Sequence, residues 1–295
     1  MKKTALLTSV AVSLLAFIFV SGCESIQETS EKFYMDRVVV LMYHHIDWEF
    51  DSRVTITPAK FAEHLDTLSD RGYNVITLDK FRDFLKGEAE IPPNAILITF
   101  DDGYESFYNY AYPLLKERGM SATMFMVVAQ IGEKESQLPK LDWSQMERMI
   151  GSDMYFQSHS YDSHFYVYID AEGNWMKPAL VAQIYLTEEG RNETYEEHRA
   201  RIHEDLRRSK ELLEQGLGVP VDFFSVPYGW KNEKVDEVAR EVGFEYIFTI
   251  QPGFVSMTSD PMNLPRVNAG SPDIDGDRLH QLILKTVGFE VEEVD

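Results

Sequence analysis

From residue 37 onward the chain alternates short apolar runs with amphipathic segments bounded by helix punctuation, the pattern of a mostly parallel sheet covered by helices. Residues 38–42 predict the first strand. Thr57 then offers an N-cap and Pro58 a first helical position, Phe61, Leu65 and Leu68 share one face, and Gly72 ends the helix. A short helix is expected over 79–86, an apolar strand over 95–100, a helix over 105–118 closed by Gly119, and strands over 122–128 and 154–157. Thr194 and Glu197 form a capping box ahead of a long helix that presents Ile202, Leu206 and Leu213 before Gly216 and Gly218 end it. Strand 221–226, helix 232–242, strand 244–250 and a last segment over 263–288 complete the series. About seven strands in βα alternation, without repeats, favour a closed or nearly closed α/β barrel over an open doubly wound sheet. Either architecture collects functional residues at the carboxyl edge of its strands.

The residues before this series have a different character. Lys2 and Lys3 precede an apolar run from Ala5 to Val20, and small residues lead up to Cys23. This is a secretory signal peptide, and it resembles a bacterial lipoprotein signal in which cleavage frees Cys23 for acylation. The expected organisation is a lipoprotein signal over 1–22, a polar tether over 23–36 and one domain over 37–295, placed outside the cytoplasm and held to the membrane through Cys23. As the only cysteine, Cys23 also excludes an intramolecular disulfide and a cysteine-based metal site. At 295 residues with 44% hydrophobic content, the chain can bury one sizeable core. A formal charge of −21 argues against nucleic acid as a partner, whereas a cationic polymer would be attracted. No protein partner is inferred.

Four polar stretches follow predicted strands. Thr99-Phe100-Asp101-Asp102-Gly103 brings two carboxylates out of one strand in different directions, so that one can bind a metal while the other takes a proton; a helix-capping turn is the alternative. Ser158-His159-Ser160-Tyr161-Asp162-Ser163-His164 carries two histidines five apart. On a helix that spacing rotates them by roughly 140°, so a shared metal requires a loop. Two imidazoles and one carboxylate make the open three-ligand site of a catalytic metal, against the alternative of solvated loop histidines. Val226-Pro227-Tyr228-Gly229 ends a strand in a tight turn whose backbone N–H can face a reacting carbonyl, although Pro-Tyr-Gly is also an ordinary turn. Tyr43-His44-His45 places a histidine where it can protonate a leaving group or simply be solvated.

Together these stretches resemble the polysaccharide deacetylases of carbohydrate esterase family 4. The histidine spacing, the run Asp101-Asp102-Gly103-Tyr104-Glu105-Ser106-Phe107-Tyr108 and Leu264-Pro265-Arg266-Val267 are similar to the subgroup acting on poly-β-1,6-N-acetylglucosamine, over roughly Val38 to Leu284. The resemblance implies a distorted (β/α) barrel in which Asp102, His159 and His164 hold a divalent metal, zinc by default with cobalt, nickel or iron as alternatives. Asp101 would be the general base, the Tyr228 N–H an oxyanion donor and His44 the general acid. The substrate would be a polysaccharide bearing N-acetylglucosamine. Peptidoglycan or chitin deacetylation, xylan ester hydrolysis and catalytically silent glycan binding remain as alternatives. One departure matters: many family members carry an arginine shortly before the third motif's proline, and this chain has Ser225. Arg266, at the end of a late strand, is expected to tether Asp101 instead. His45, His64, His198, His203 and His280 read as structural or solvated.

Overall fold

A computed structural model describes residues 31–49 and 52–290. The expected signal peptide and Cys23 lie outside the described residues. One compact unit begins at Glu31, ahead of the boundary expected at residue 37. The end of the expected tether is docked on it: Asn94 Oδ1 accepts from the Phe33 and Tyr34 backbone N–H groups, and the Tyr34 hydroxyl donates to the Ala95 carbonyl. Phe33 also packs edge-on against His280 at 5.2 Å. Two aromatic residues therefore extend the domain into what composition alone reads as polar.

The central sheet contains β1 (Val38–Tyr43), β2 (Asn74–Val75), β3 (Ala95–Phe100), β4 (Ala122–Met126), β5 (Met154–Ser158), β6 (Phe223–Ser225), β7 (Tyr246–Phe248) and β8 (Val267–Asn268). All pair in parallel in the order β7-β6-β5-β4-β3-β1-β8, with the short β2 beside the start of β3. The expected distorted barrel of about seven strands is observed. The segment leading into β8 bridges its two edges. Leu264 pairs with Phe248 on one side, and Val267 pairs with Leu41 on the other.

Alternation along the strands sorts the side chains into two cores. Val38, Val40, Ala95, Leu97, Phe125, Phe223 and Phe248 fill the barrel interior together with residues of a helix, α2 (Leu78–Lys86). The intervening positions, among them Val39, Leu41, Ile96, Ile98, Met124 and Phe224, face the surrounding helices. These include α1 (Pro58–Asp70), α3 (Tyr112–Glu117), α4 (Trp143–Ile150), α5 (Tyr195–Leu217), α6 (Glu233–Val242) and α7 (Gly276–Thr286). The interior is plugged at the amino ends of the strands. There Phe81 of α2 meets Phe223 and Phe248, Arg82 is paired with Asp222 at the start of β6, and Tyr155 at the start of β5 donates to Asp79.

The caps follow the sequence reading, except that Gly216, expected to help end α5, lies within it. Thr57 Oγ1 accepts from the Lys60 N–H, Thr194 and Glu197 complete a capping box, and Gly218 ends α5 in the left-handed region. The helix expected over 105–118 is interrupted. Phe107–Ala111 form a π-helical turn, because Pro113 has no N–H to offer the Asn109 carbonyl and its ring would crowd that oxygen. Two small antiparallel pairs, Tyr166–Tyr168 with Met176–Pro178 and Tyr185–Leu186 with Arg191–Asn192, fill the connection between β5 and α5.

Candidate active site

Each of the four polar stretches emerges at the carboxyl ends of the strands, opposite the plugged end. Asp101 leaves β3 on the interior side, one alternation beyond Leu97 and Thr99, and its N–H is held by the Tyr43 carbonyl. Asp102 turns away in the left-handed region (φ 75°), and Gly103 follows at φ 69°. Its left-handed backbone favours glycine, whereas the nearest atom to an added Cβ, Met126 Cε at 2.7 Å, is the end of a flexible side chain.

The two neighbouring carboxylates are held in different ways. Asp101 is buried in a two-pronged ion pair, with Arg266 Nη1 donating to its Oδ1 at 2.8 Å and Nη2 to its Oδ2 at 2.7 Å. Ser225 Oγ accepts from Arg266 at 2.8 Å and donates to Asp101 at 3.2 Å, and Arg266 Nε is anchored on the Thr249 carbonyl. The expected tether is therefore in place, though Arg266 precedes β8 rather than ending a strand. Burial works to raise the Asp101 carboxyl, but the Arg266 guanidinium, with His159 and His44 nearby, overrides it and brings the pKa down to about 2.

Asp102 faces the two histidines. Its Oδ1 lies 3.4 Å from His159 Nε2 and 3.2 Å from His164 Nε2, yet it is buried without a hydrogen-bond partner. One ligand atom from each of the three residues falls within 4.8 Å of the others. The His159 Nδ1 is 2.6 Å from the Ser225 carbonyl, which can only accept, so Nδ1 donates there and Nε2 is the ring nitrogen that faces Asp102. Burial, reinforced by His159, lowers His164 to about 4, so it is neutral near pH 7. Burial favours the neutral acid for Asp102 as well, but the imidazoles of His159, His44 and His164 hold its carboxyl well below the ordinary range. An ionised carboxylate, two imidazoles and an orphaned buried oxygen are the donor set of a divalent metal, and these residues fit one.

The turn after β6 completes the mouth. Tyr228 and Gly229 are both left-handed, at φ 59° and 70°. The Tyr228 ring lies 4.4 Å from that of His164, and its hydroxyl donates to the His164 carbonyl. His44 follows β1, and its Nδ1 is buried without a hydrogen-bond partner. The remaining histidines with resolved contacts are structural. His64, for example, donates to the Ile274 carbonyl and so accepts from the Tyr43 hydroxyl.

Two supports escaped sequence reading. Asp205 of α5 clamps the histidine loop: its carboxylate accepts from the Tyr161 and Asp162 N–H groups and from the Ser163 hydroxyl. Lys140, buried in the loop before α4, donates to the Asp102 carbonyl at 2.9 Å and lies 3.8 Å from the Tyr104 ring centre. An aspartate at an interior-facing position of α5 was the only available signal for the first. Nothing in the polar surroundings of Lys140 marked the second.

Comparison with known proteins gives a consistent set. The family model for polysaccharide deacetylase matches residues 88–247. The poly-beta-1,6-N-acetyl-D-glucosamine N-deacetylase of Escherichia coli K12 is 27% identical over 243 residues, covering 78% of this chain and 36% of that protein. The chain thus spans about a third of the length of that relative. The enzyme of the same name from Staphylococcus aureus MRSA252 is 22% identical over 241 residues, covering 81% of this chain and 74% of that protein. Among solved structures, IcaB from Ammonifex degensii superposes with a TM-score of 0.70 at 29% identity over 84% of this chain and 97% of that one. The BpsB deacetylase domain from Bordetella bronchiseptica gives 0.69 at 27% identity, over 79% and 96%.

Proposed function

Because the chain belongs to the polysaccharide deacetylase family, we propose that it is a metal-dependent hydrolase removing N-acetyl groups from N-acetylglucosamine units of an extracellular polysaccharide, with poly-β-1,6-N-acetylglucosamine as its substrate. The observation that carries this reading is the pairing of two environments on adjacent residues. The Arg266-held Asp101 stands beside a triad whose Asp102 oxygen is buried and unsatisfied. The relatives in E. coli and S. aureus support the choice of polymer.

In this reading Asp102, His159 and His164 hold a divalent metal, zinc by default. When bound, the metal supplies positive charge at the acetyl carbonyl and makes water nucleophilic near neutral pH. Asp101, kept ionised and oriented by Arg266, takes the proton of the attacking water. The Tyr228 N–H, presented by its left-handed turn, donates to the oxygen on which negative charge develops. His44 delivers a proton to the departing nitrogen as the C–N bond breaks, so acetate and a free amine are the products. Lys140, through the Asp102 carbonyl, and Asp205, through two backbone N–H groups and the Ser163 hydroxyl, position the ligands rather than touching the reacting atoms.

We also infer that the protein is exported and anchored through an acylated Cys23. The basic start, the apolar run and the small residues before Cys23 support this. Labelled palmitate should enter the protein and be lost in Cys23→Ala; equal labelling of both would refute the anchor. Amine and acetate release from poly-β-1,6-N-acetylglucosamine, before and after chelation and metal restoration, tests the catalytic reading. Equimolar, metal-dependent release supports it, acetate without amine indicates an ester substrate, and no release with any divalent metal rejects it.

A further inference from the structure

A groove of about 830 Å³ opens at Tyr228 and is lined onward by Trp230, the start of α6, Ile250 and Gln251 after β7, and Asn263. None of Asp101, Asp102, His159 and His164 lines it, so it is a space beyond the reaction centre. Tyr228 belongs to both: its ring lies against His164 and Tyr166, and it also lines the groove. Within it Trp230 leaves 54% of its surface exposed and Ile250 48%, both large apolar side chains turned to solvent at the rim of a polar cleft. Buried packing does not account for an indole in that position. Gly229 permits the close approach of the two walls, since a Cβ there would stand 2.3 Å from Ile250 Cγ1.

We propose that this groove is a subsite for the sugar adjoining the one whose acetyl group is removed, with the pyranose ring stacked on Trp230. The inference rests on the polysaccharide reading above and adds which part of the chain grips the polymer beyond the reacting unit. A pyranose presents a face of C–H bonds, slightly positive, that matches the negative face of an indole, and a rim of hydroxyls that needs hydrogen-bonding groups. The groove supplies both: the indole as platform, and the Gln251 and Asn263 amides with the Asp260 carboxylate around it. Its charged lining comprises Glu233, Asp236 and Asp260 against Lys231 and Arg240, with Lys231 and Asp236 paired at 2.7 Å. The balance leans negative. The subsite therefore takes an uncharged N-acetylglucosamine or a cationic glucosamine unit and disfavours an anionic sugar.

The test is the dependence of kcat/KM on chain length, measured as acetate release by the full chain from β-1,6-linked N-acetylglucosamine oligomers of increasing length. The unmodified protein should gain on going from one sugar to two or more, through KM rather than kcat. Trp230→Ala should lose about tenfold of that gain, as removal of an aromatic anchor does, while Trp230→Tyr retains most of it. A gain that persists in Trp230→Ala overturns the subsite alone. A uniform fall at every length, single sugar included, also overturns it, because that would mark a structural role at the turn. Absence of release from every oligomer by the unmodified protein removes the polysaccharide reading itself, and the subsite with it.

Discussion

The two ends of the barrel are built from the same strands and differ in almost every other respect. At the amino ends the interior is closed by Leu78, Phe81 and Phe84 of α2 packed on strand phenylalanines, with polar groups confined to the rim. At the carboxyl ends the same inward-facing positions become Thr99, Asp101, His159 and Ser225, joined by Arg266, all buried. One end gains stability from apolar area removed from water. The other spends some of that stability on buried charge and left-handed backbone, compensated at Asp101 by Arg266 and left uncompensated at the Asp102 oxygen. Stability and function are thus separable at the plug and inseparable at the mouth.

Substitutions at the two ends should make that difference measurable. Asp101→Asn should lower kcat by about 10²–10⁴-fold through loss of the proton acceptor. It should also lower the melting temperature, because Arg266 is left buried without its counter-charge; an unchanged melting temperature would show that the pair contributes nothing to the fold. Phe81→Ala at the opposite end should cost about 3–5 kcal/mol in denaturant unfolding while kcat/KM at low temperature stays within about twofold. A large loss of activity from that variant would erase the proposed separation. Lys140→Met should weaken divalent-metal binding by about 10–100-fold in calorimetric titration, with activity recovering at high metal, because the Asp102 carbonyl loses its donor and not its ligand oxygen. Thr194→Ala, at the capping box that starts α5, should cost only about 1 kcal/mol and leave metal affinity unaltered.

The sequence disclosed those features whose signal is local. Apolar runs such as Ala95–Phe100 can be read directly, and each reactive cluster stands next to one, so the carboxyl edge of the sheet could be assembled on paper. The Arg266 tether was foreseeable because Ser225 occupies a place where the resembling family has arginine, which left a buried carboxylate in need of a cation. Helix α4 went unnoticed although Asp142 and Gln145 form a capping box and Trp143, Met146, Met149 and Ile150 share a face, since the segment is only eight residues long. The small hairpins between β5 and α5 have strands of two or three residues, too few to show alternation. The contact between Lys140 and Asp102 spans 38 positions and carries no pattern of its own.

Arg266 lies 165 positions after the carboxylate it grips, and the stretch that carries it also joins the two edges of the sheet. During synthesis, then, a chain emerging from its amino end has the aspartates and both histidines long before it has the arginine. A partly emerged chain holds an incomplete set of reactive groups around an open sheet, and one late step both seals the architecture and arms the chemistry. The compensated ion pair thereby becomes a property of the finished molecule, and a product truncated before Arg266 would leave Asp101 without its counter-charge.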